Sequence, residues 1–359
     1  MRPAKEIRKF KIAVTSACCL RCTHCFIDKE RPERISLAAA KKGLDLFLRS
    51  PGERKTLEIY GGEPLLEFGL VKEIIAAAQK KARALGRDLS VSVASNGVLA
   101  QPEHLAYLAA RGIRFSISFS GGDKTQDFTR RFPSGRGTSA ALKTKIPMLI
   151  SALGENLHVI FCVHPLRAAY AYRDYRRLVK LGFTNIGIEC VHGAGWRPRD
   201  YAAFAAGMKK IAAFTIKESA AGNFIMLEPF AEFFRDKARE DSCCPFLRDL
   251  EMYPDGTLSL YPYPFVKDRA QRRLAAVGSA AAGVNAKYAR CAPSRESARC
   301  AGCVDSYYRL PGLGDGSRAY RLRTEICVAA VGGLAGAAGR PRVREYLKRL
   351  IKLFKKGYT

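Results

Sequence analysis

The residues best suited to chemistry are three cysteines near the start of the chain. Cys18, Cys22 and Cys25 form a C-x3-C-x2-C motif. Three thiolates at this spacing could bind three irons of a [4Fe–4S] cube and leave the fourth iron open, as a catalytic metal site requires. Zinc bound by three of these thiolates together with Cys19 or His24 is the alternative. The motif therefore predicts a metal centre, and an open iron–sulfur cluster is the favoured interpretation.

A second motif is Gly61-Gly62-Glu63-Pro64, which would be an ordinary turn if it stood alone. Its glycines allow close backbone approach, and its carboxylate could pair with an ammonium group. Polar residues recur further along, at Ser95-Asn96-Gly97 and at Ser118-Phe119-Ser120-Gly121. Each of these segments ends or follows a strand-like segment, which gives them weight alongside the cysteine motif.

Strand-like segments, with apolar residues at every second position, alternate with helical patterns from residue 7 to about residue 220. The six strand-like segments cover Phe10–Val14, Leu57–Ile59, Leu89–Val93, Ile113–Phe119, Val159–Val163 and Ile186–Cys190. This succession predicts an α/β fold with a parallel sheet, either doubly wound or a partial barrel. Functional residues are then expected at the C-terminal ends of the strands, where the motifs lie.

The pattern changes after about residue 223. Residues 253–257 predict a tight hairpin turn, and an irregular region containing cysteines follows. Residues 342–356 place apolar side chains on one face of a basic helix, which favours packing against the rest of the fold over binding to a membrane or a partner. We therefore expect domains at 1–222 and 223–330, and a basic amphipathic helix within 331–359.

Composition limits the class of protein. The 359 residues include 12 cysteines and carry a net charge of +28. The N-terminus lacks the apolar stretch of a secretion signal, and the longest small and apolar run, 326–339, is shorter than a membrane span. We expect a soluble cytoplasmic protein whose cysteines bind metal or lie in the core. The charge would attract nucleic acid, acidic peptides, acidic lipid or carboxylate-rich small molecules, and does not choose among them.

The combination of the cysteine motif and Gly-Gly-Glu-Pro resembles the radical S-adenosylmethionine (SAM) superfamily, which folds as a (β/α)6 partial barrel. The resemblance implies that Cys18, Cys22 and Cys25 hold the [4Fe–4S] cluster. It also assigns SAM contacts to Gly61, Gly62, Glu63, Pro64, Ser95, Asn96, Ser118 and Ser120. The family has Asp where this chain has Ser120, which puts that contact in doubt.

Residues 127–137 resemble the Asp-x-x-Arg…Gly-x-Gly stretch of the branch that modifies peptides and proteins. One of Arg130 and Arg131 would bind the SAM carboxylate, and Arg130 is favoured. A charged surface pair is the alternative.

The C-terminal part resembles the SPASM or twitch extension of that branch, which binds auxiliary [4Fe–4S] clusters. The extension is eroded, because Tyr261, Arg309 and Leu313 stand where the family has cysteines. Two full auxiliary clusters would need more ligands than remain, whereas one is feasible. Its candidate ligands are Cys244, Cys291, Cys300, Cys303 and Cys327. Zinc at these residues, or no metal, are the alternatives.

The resemblance implies that SAM is cleaved reductively to a 5′-deoxyadenosyl radical, which abstracts hydrogen from a substrate. A reducing partner such as flavodoxin or ferredoxin would supply the electron. The leading hypothesis is crosslinking, thioether formation or oxidation of a peptide or protein. An acidic small molecule or cofactor precursor is the second. RNA binding or modification ranks below both, because the sequence contains no recognisable RNA-binding module. The first strand starts so early that we expect no leader-binding winged helix before it, and any recognition of a leader peptide would come from elsewhere.

No catalytic base can be named from the sequence. His164 and His192 fall just past the fifth and sixth strand-like segments, on the face expected to hold the site, but a structural histidine is the favoured interpretation of each. Glu189 and Tyr261 are further candidates without support. Cys162 and Cys190 lie in apolar strand runs and are expected in the core.

Overall fold

The computed structural model describes residues 6–25, 27–231, 233, 249–259, 276–285, 314–336 and 340–355. Its strands are β1 (Lys9–Ala13), β2 (Arg54–Tyr60), β3 (Asp88–Ser95), β4 (Arg114–Ser118), β5 (Leu157–Val163), β6 (Asn185–Cys190), β7 (Met226–Leu227), β8 (Asp249–Met252), β9 (Thr257–Ser259), β10 (Ala276–Ser279) and β11 (Gly283–Val284). Its α-helices are α1 (Leu37–Arg49), α2 (Phe68–Ala84), α3 (Pro102–Ala109), α4 (Asp123–Thr129), α5 (Ser139–Leu153), α6 (Ala171–Lys180), α7 (Pro198–Ala220), α8 (Gly314–Gly336) and α9 (Pro341–Lys355).

The predicted α/β class is confirmed. Each of the strands β1 to β6 is followed along the chain by a helix, and β1–β2, β2–β3 and β5–β6 pair in parallel. Alternation within the strands explains their packing. Phe10 of β1 is fully buried and stacks on Phe47 of α1, with the ring centroids 5.3 Å apart. The neighbouring positions, such as Lys11, point to the opposite face, because successive side chains of a strand alternate.

The described residues fall into two compact units. The first holds the residues up to Arg21, Cys25–Phe115, and those described between Ser242 and Arg309. The second holds Cys22–His24, Ser116–Asp241 and the residues described after Leu310. These units cut across the predicted domain boundaries at 222 and 330. Because compactness in space is a different criterion from a family domain, the boundaries stay a prediction.

In the first unit the strand order is β11-β10-β9-β8-β1-β2-β3. Strand β8 pairs in parallel with β1, and β8 to β11 continue as antiparallel pairs. The hairpin turn expected at 253–257 joins β8 to β9, and Gly256 has a φ of 82° there. That backbone conformation favours glycine, since it lacks a Cβ.

In the second unit the strand order is β4-β5-β6-β7, and helices α4 to α9 pack with these strands or with each other. The basic amphipathic pattern at the end of the chain corresponds to α9. Its apolar residues Val343, Tyr346 and Leu350 are buried, and the Tyr346 hydroxyl donates to the Ile225 carbonyl at 3.0 Å. Helix α9 contacts α7. None of the helices in the described ranges is long and apolar enough to cross a membrane.

Helix α8 corrects one expectation. The region up to residue 330 was described as irregular, yet residues 314–336 form a single helix. Its buried side chains recur at every fourth position, as Ala319, Arg323, Cys327 and Val331 show. The sequence gives only a weak signal for this helix, because its buried face combines small residues, a cysteine and an arginine, none of which marks a helix by itself.

Candidate functional site

The cysteine motif lies in the loop that follows β1. Cys18, Cys19, Cys22 and Cys25 are free thiols, each partly exposed. The loop is anchored by Leu20, whose side chain is buried and whose carbonyl accepts from Lys29 Nζ at 3.0 Å. The Leu20 backbone N–H lies 3.4 Å from Cys18 Sγ. A backbone donor at a sulfur favours the thiolate, the form that binds metal.

Asn96, from the segment that ends β3, reaches the same thiols. Its side-chain Nδ2 lies 3.4 Å from Cys19 Sγ and 3.8 Å from Cys18 Sγ. The hydrogen bond between the two thiols, followed by the one from Asn96, lowers the pKa of Cys19 to about 7, although burial acts in the opposite direction. The same thiol–thiol hydrogen bond, together with burial, raises the pKa of Cys18.

The donor set fits an iron–sulfur cluster, since three partly exposed thiols in one loop have a backbone donor and an amide donor beside the first of them. Within the described ranges, no three His, Cys, Asp or Glu side chains are placed to share one metal ion. This finding bears on a single-ion site. A four-iron cube has a different requirement, because each thiolate binds its own iron.

The two glycines of Gly61-Gly62 lie against the segment that leads into the cysteine motif. The Gly62 and Glu63 backbone N–H groups donate to the carbonyls of Thr15 at 2.7 Å and Ala17 at 2.8 Å. A Cβ on Gly62 would lie 2.1 Å from the Ala17 carbonyl oxygen, and one on Gly61 would lie 2.3 Å from that of Thr15. The two glycines thus allow close approach between backbone segments of the chain itself. Their predicted contact with SAM stays a prediction.

Glu63 connects this motif to the end of β3. Its carboxylate is fully buried and accepts from Ser95 Oγ at 2.7 Å, the Asn96 backbone N–H at 2.8 Å and the Leu65 backbone N–H at 3.0 Å. The last bond caps the short 3-10 helix Pro64–Glu67. Burial raises the pKa of Glu63 to about 7, because it outweighs the three hydrogen bonds that favour the anion. Two of the predicted motifs therefore meet at one carboxylate.

In the second unit, the segment after β4 uses its polar groups within the protein. Ser120 is buried, its backbone N–H donates to Gln126 Oε1 at 2.9 Å, and its hydroxyl donates to the Cys162 carbonyl at 3.3 Å. Ser118 is half-buried. The residue that departs from the family pattern thus has a structural partner at the end of β5.

Arg130 and Arg131 have different surroundings. Arg130 is buried, with Nη2 3.2 Å from Cys162 Sγ and Nη1 4.0 Å from Cys22 Sγ, whereas Arg131 is exposed. The backbone N–H of Thr23 donates to the carbonyl of Thr129 at 2.8 Å, which ties the cysteine motif to the residue before Arg130. The geometry places Arg130, and not its neighbour, beside a predicted cluster ligand.

The spacing of the residues around Arg130 has a structural reason. Asp127 accepts from the Ser139 backbone N–H at 2.8 Å and from Ser139 Oγ at 2.7 Å. A Cβ on Gly137 would lie 2.1 Å from Asp127 Cγ, so only glycine fits there. The Thr138 hydroxyl donates to the Arg130 carbonyl at 3.1 Å. The Asp-x-x-Arg…Gly-x-Gly stretch is therefore a folded loop that holds Arg130 in place.

Cys162 corrects a second expectation. The apolar pattern of β5 predicts a core position, whereas the residue is partly exposed and its thiol lies against the Arg130 guanidinium. Burial raises the pKa of this thiol, while Arg130 acts to lower it. A contact between residues so far apart in sequence leaves no local signal. Cys190 is buried, as expected, and burial raises the pKa of its thiol.

The other candidates have structural partners. His164 is half-buried, its Nδ1 accepts from the Leu166 backbone N–H at 3.2 Å, and burial lowers its pKa. His192 is half-buried. Glu189 Oε1 lies 3.8 Å from Nη1 of Arg323 in α8. Cys327 is buried on the same helix. The remaining candidates, Tyr261, Cys244, Cys291, Cys300 and Cys303, lie outside the described residues.

Comparison with known proteins shows what this region is similar to. The sequence profile of the radical SAM superfamily matches residues 12–165. A probable GTP 3′,8-cyclase of Methanopyrus kandleri is 35% identical over 121 residues, which cover 33% of this chain and 36% of that protein. A serine-type anaerobic sulfatase-maturating enzyme of Klebsiella aerogenes is 29% identical over 174 residues, or 46% of this chain and 42% of that protein. The chain thus matches less than half the length of these curated relatives.

Solved structures extend the likeness beyond that region. Native anSMEcpe with bound AdoMet has a TM-score of 0.67 at 15% identity, covering 97% of this chain and 99% of that one. Streptococcus suis SuiB bound to the precursor peptide SuiA has a TM-score of 0.53 at 12% identity, covering 74% of this chain and 61% of that one. At such identities the likeness establishes a shared fold.

Proposed function

We propose that the chain is a radical SAM enzyme, as the profile match over residues 12–165 supports, and that it cleaves SAM reductively at a [4Fe–4S] cluster bound by Cys18, Cys22 and Cys25. The single observation that carries the proposal is the meeting of three motifs in the first unit. The segment before Cys18 is bonded to Gly62 and Glu63, and Glu63 is bonded to the Ser95–Asn96 segment, whose amide reaches Cys18.

When bound, such a cluster supplies one low-potential electron to the SAM sulfonium, whose carbon–sulfur bond breaks to give methionine and a 5′-deoxyadenosyl radical. The protein's own residues bind and orient. Three thiolates hold the cluster, and Asn96 donates beside Cys18. An ionised carboxylate offers about four acceptor positions, and Glu63 uses three of them, which leaves one for the SAM ammonium.

The remaining SAM contacts extend this proposal. The backbone of Gly61, Gly62 and Pro64 would lie along the methionine part of SAM, with Ser95 and Asn96 beside it. Arg130 would bind the SAM carboxylate, since its buried guanidinium lies near Cys22. Ser118 and Ser120 would face the ribose of SAM. The contact from Ser120 would be the weaker of the two, because its hydroxyl already donates to the Cys162 carbonyl.

We propose a peptide or protein as the substrate, modified by crosslinking, thioether formation or oxidation after hydrogen abstraction. The support is the fold shared along 97% of the chain with anSMEcpe, a protein solved with AdoMet and peptides, together with a charge of +28 that attracts acidic segments. An anionic small molecule is the second candidate, because the relative with 35% identity is named a GTP cyclase. RNA ranks third.

Two partners belong to the same proposal. A flavodoxin or ferredoxin would supply the electron. One auxiliary [4Fe–4S] cluster would use cysteines among Cys244, Cys291, Cys300, Cys303 and Cys327. Anaerobic iron and sulfide counting tests the auxiliary cluster, because one cluster gives about four irons per chain and two give about eight.

The experiment that tests the radical reaction is anaerobic incubation of the iron-loaded chain with SAM and dithionite, with 5′-deoxyadenosine as the measured product. The wild type should form it and Cys22→Ala should not. Cys190→Ala is the matched control, because it removes a buried thiol of β6 and should leave the product formed. A fully loaded wild type that forms no 5′-deoxyadenosine would contradict the proposal.

A further inference from the structure

A group of apolar and basic side chains follows β5, in which Leu166, Tyr170 and Arg173 are exposed and Arg167 is half-buried. Leu166, Arg167 and Tyr170 lie on the 3-10 helix Pro165–Tyr170, and Arg173 lies in the first turn of α6; we name these four residues the β5–α6 patch. Leu166 is 54% exposed and Tyr170 is 40% exposed. In the described ranges only one other large hydrophobic residue, Leu66, is comparably exposed. Apolar side chains clustered in this way mark a contact surface more often than isolated ones do.

Two guanidinium groups flank the tyrosine of the patch. Arg173 lies over the Tyr170 ring at 4.5 Å and Arg167 at 5.6 Å from the ring centroid. Arg173 also donates to Asp174 through Nε and Nη2, and its side chain remains 58% exposed. Since an arginine carries five N–H donors, Arg167 and Arg173 each retain donors for a further carboxylate. The patch therefore presents fixed positive charge beside apolar surface.

The patch is continuous with the candidate site in the second unit. Arg167 lies over the Phe128 ring at 4.6 Å, and Phe128 packs edge-on against the His164 ring at 5.2 Å. Phe128 precedes Arg130 by two residues, and His164 follows Cys162 by two. The Arg130 guanidinium contacts the thiols of both Cys162 and Cys22. A molecule bound on the patch would therefore lie beside the residues proposed to bind SAM.

We propose that the β5–α6 patch docks an acidic, leucine- or aromatic-containing segment of the peptide substrate, an inference that rests on the proposed function. Arginine and tyrosine are the residues that most often anchor protein interfaces, and arginine pairs with carboxylates in two-point hydrogen bonds. Leu166 supplies the apolar contact. A second copy of the chain is a poor occupant, because two molecules of charge +28 repel each other.

A nucleic acid fits this surface less well than a peptide does. Single-stranded RNA binds by stacking bases on exposed aromatic faces. The only strongly exposed ring of the patch, Tyr170, already has Arg173 over it, so a base would compete with that guanidinium. An exposed leucine gives a base nothing to stack on. Acidic peptide is therefore the occupant that uses all four residues.

The test measures binding of two probes to the iron-loaded chain by fluorescence anisotropy, at low and at high salt. One probe is a short labelled peptide of glutamate, leucine and glycine, and the other is a labelled oligouridylate of equal charge. The double variant Arg167→Ala/Arg173→Ala should weaken peptide binding about tenfold or more, as loss of two charge-assisted contacts implies. Leu166→Ser should weaken it at both salt concentrations, since an apolar contact is not screened.

The matched control is Lys41→Ala/Lys42→Ala, which removes the same charge from two exposed residues of α1. An equal loss of peptide affinity in this control would overturn the proposal, because the overall positive charge of the chain would then explain binding. A loss of oligouridylate affinity without loss of peptide affinity would also overturn it, in favour of RNA. Circular dichroism melting should show that every variant folds like the wild type.

The docking proposal and the radical proposal fail in different ways. The patch variants should still form 5′-deoxyadenosine from SAM and dithionite in the absence of peptide, since no patch residue belongs to the proposed SAM site. If peptide binding is unchanged while 5′-deoxyadenosine forms, the docking site is wrong and the reaction stands. If no 5′-deoxyadenosine forms in any protein while the patch variants lose the peptide, the reaction is wrong and a peptide-binding surface remains.

Discussion

At the scale of single residues, Glu63 and Arg130 hold their surroundings together through hydrogen bonds. Glu63 accepts from Leu65, Ser95 and Asn96, and Arg130 donates to two sulfurs. A buried carboxylate or guanidinium that lost these partners would be costly, because each unsatisfied buried group costs about 1–3 kcal/mol or more. Such residues keep the site rigid before any ligand arrives.

Replacement of Arg130 tests its proposed role. Arg130→Gln should weaken SAM binding about tenfold or more, because it removes a charge-assisted contact with the SAM carboxylate that contributes about 1.5–3 kcal/mol. Arg130→Lys should recover part of the loss, since it restores the charge without the planar fork. Equilibrium dialysis of SAM against the iron-loaded protein measures both.

The neighbouring arginine provides the control. Arg131 is exposed and donates to the Asp127 carbonyl at 2.9 Å, so Arg131→Gln should leave SAM affinity within about twofold of the wild type. Equal losses in Arg130→Gln and Arg131→Gln would show that the charge of the stretch matters and that the placement of Arg130 does not. Iron content should be the same in all of these proteins.

At the scale of elements, the Gly61-Gly62 turn makes a close backbone-to-backbone contact with the segment after β1. Gly62→Ala would place a Cβ 2.1 Å from the Ala17 carbonyl oxygen, so one backbone segment must move. We expect a loss of unfolding free energy of about 1–3 kcal/mol and reduced iron loading, because the displaced segment leads directly to Cys18. Urea unfolding and iron analysis measure the two effects.

Gly69 offers a matched substitution in the next helix. It is exposed in α2, and a Cβ there would meet no atom within 4 Å. Gly69→Ala should therefore raise stability by about 0.5–1 kcal/mol, as alanine favours the helix over glycine. Similar behaviour of the two alanine variants would refute the packing explanation.

The strands of the first unit carry a buried group of charges. Lys11 of β1 is in register with Glu58 of β2 and Glu251 of β8, and the Lys11 Nζ lies 3.5 Å from Glu58. Burial acts to raise the pKa of Glu58, but Lys11 and Lys9 outweigh it and lower that pKa to about 2. Burial raises the pKa of Glu251 to about 8, and within the described ranges neither of its carboxylate oxygens accepts a hydrogen bond. One carboxyl is therefore charged and the other neutral at pH 7.

This difference predicts a pH dependence for Glu251→Gln. The folded state keeps the Glu251 proton up to about pH 8, whereas the unfolded chain releases it near pH 4.5, so the wild type loses stability as pH rises between these values. Glutamine cannot ionise. The free energy of unfolding of the variant, relative to that of the wild type, should thus rise by up to about 1.4 kcal/mol per pH unit in this window.

Urea unfolding at several pH values between 5 and 8 measures that difference. Glu58→Gln should differ from the wild type by a constant amount over this range, because the lowered pKa of Glu58 confines its pH-dependent contribution to the window from pH 4.5 down to about 2, where it is lost as the pH falls. A Glu251→Gln difference that stays constant with pH would contradict the assignment of a neutral buried carboxyl.

At the scale of the whole chain, part of the structure follows from the sequence and part does not. Strands β1 to β6 were predictable because each has a period of two, and the motifs were predictable because they end those strands. Helix α8 was missed because its buried face mixes Ala319, Arg323 and Cys327. The contacts of Asn96 with Cys19 and of Arg130 with Cys162 were also missed, since they join residues distant in sequence.

The charge of +28 also belongs to the whole chain, and it limits how binding data are interpreted. Such a field attracts every polyanion, and its effect falls as salt rises because the Debye length shrinks to about 8 Å at physiological ionic strength. Substrate selection must therefore come from local features such as the β5–α6 patch. Affinity that survives high salt is the useful measure of specificity.

The measurement that tests the central claim most directly is electron paramagnetic resonance of the anaerobic, dithionite-reduced protein before and after addition of SAM. An open iron next to Cys18, Cys22 and Cys25 should give a [4Fe–4S] signal that changes when SAM binds, and this SAM-dependent change should be lost in Cys22→Ala. Unchanged spectra on addition of SAM, or a protein that binds zinc and no iron at these thiols, would contradict the account.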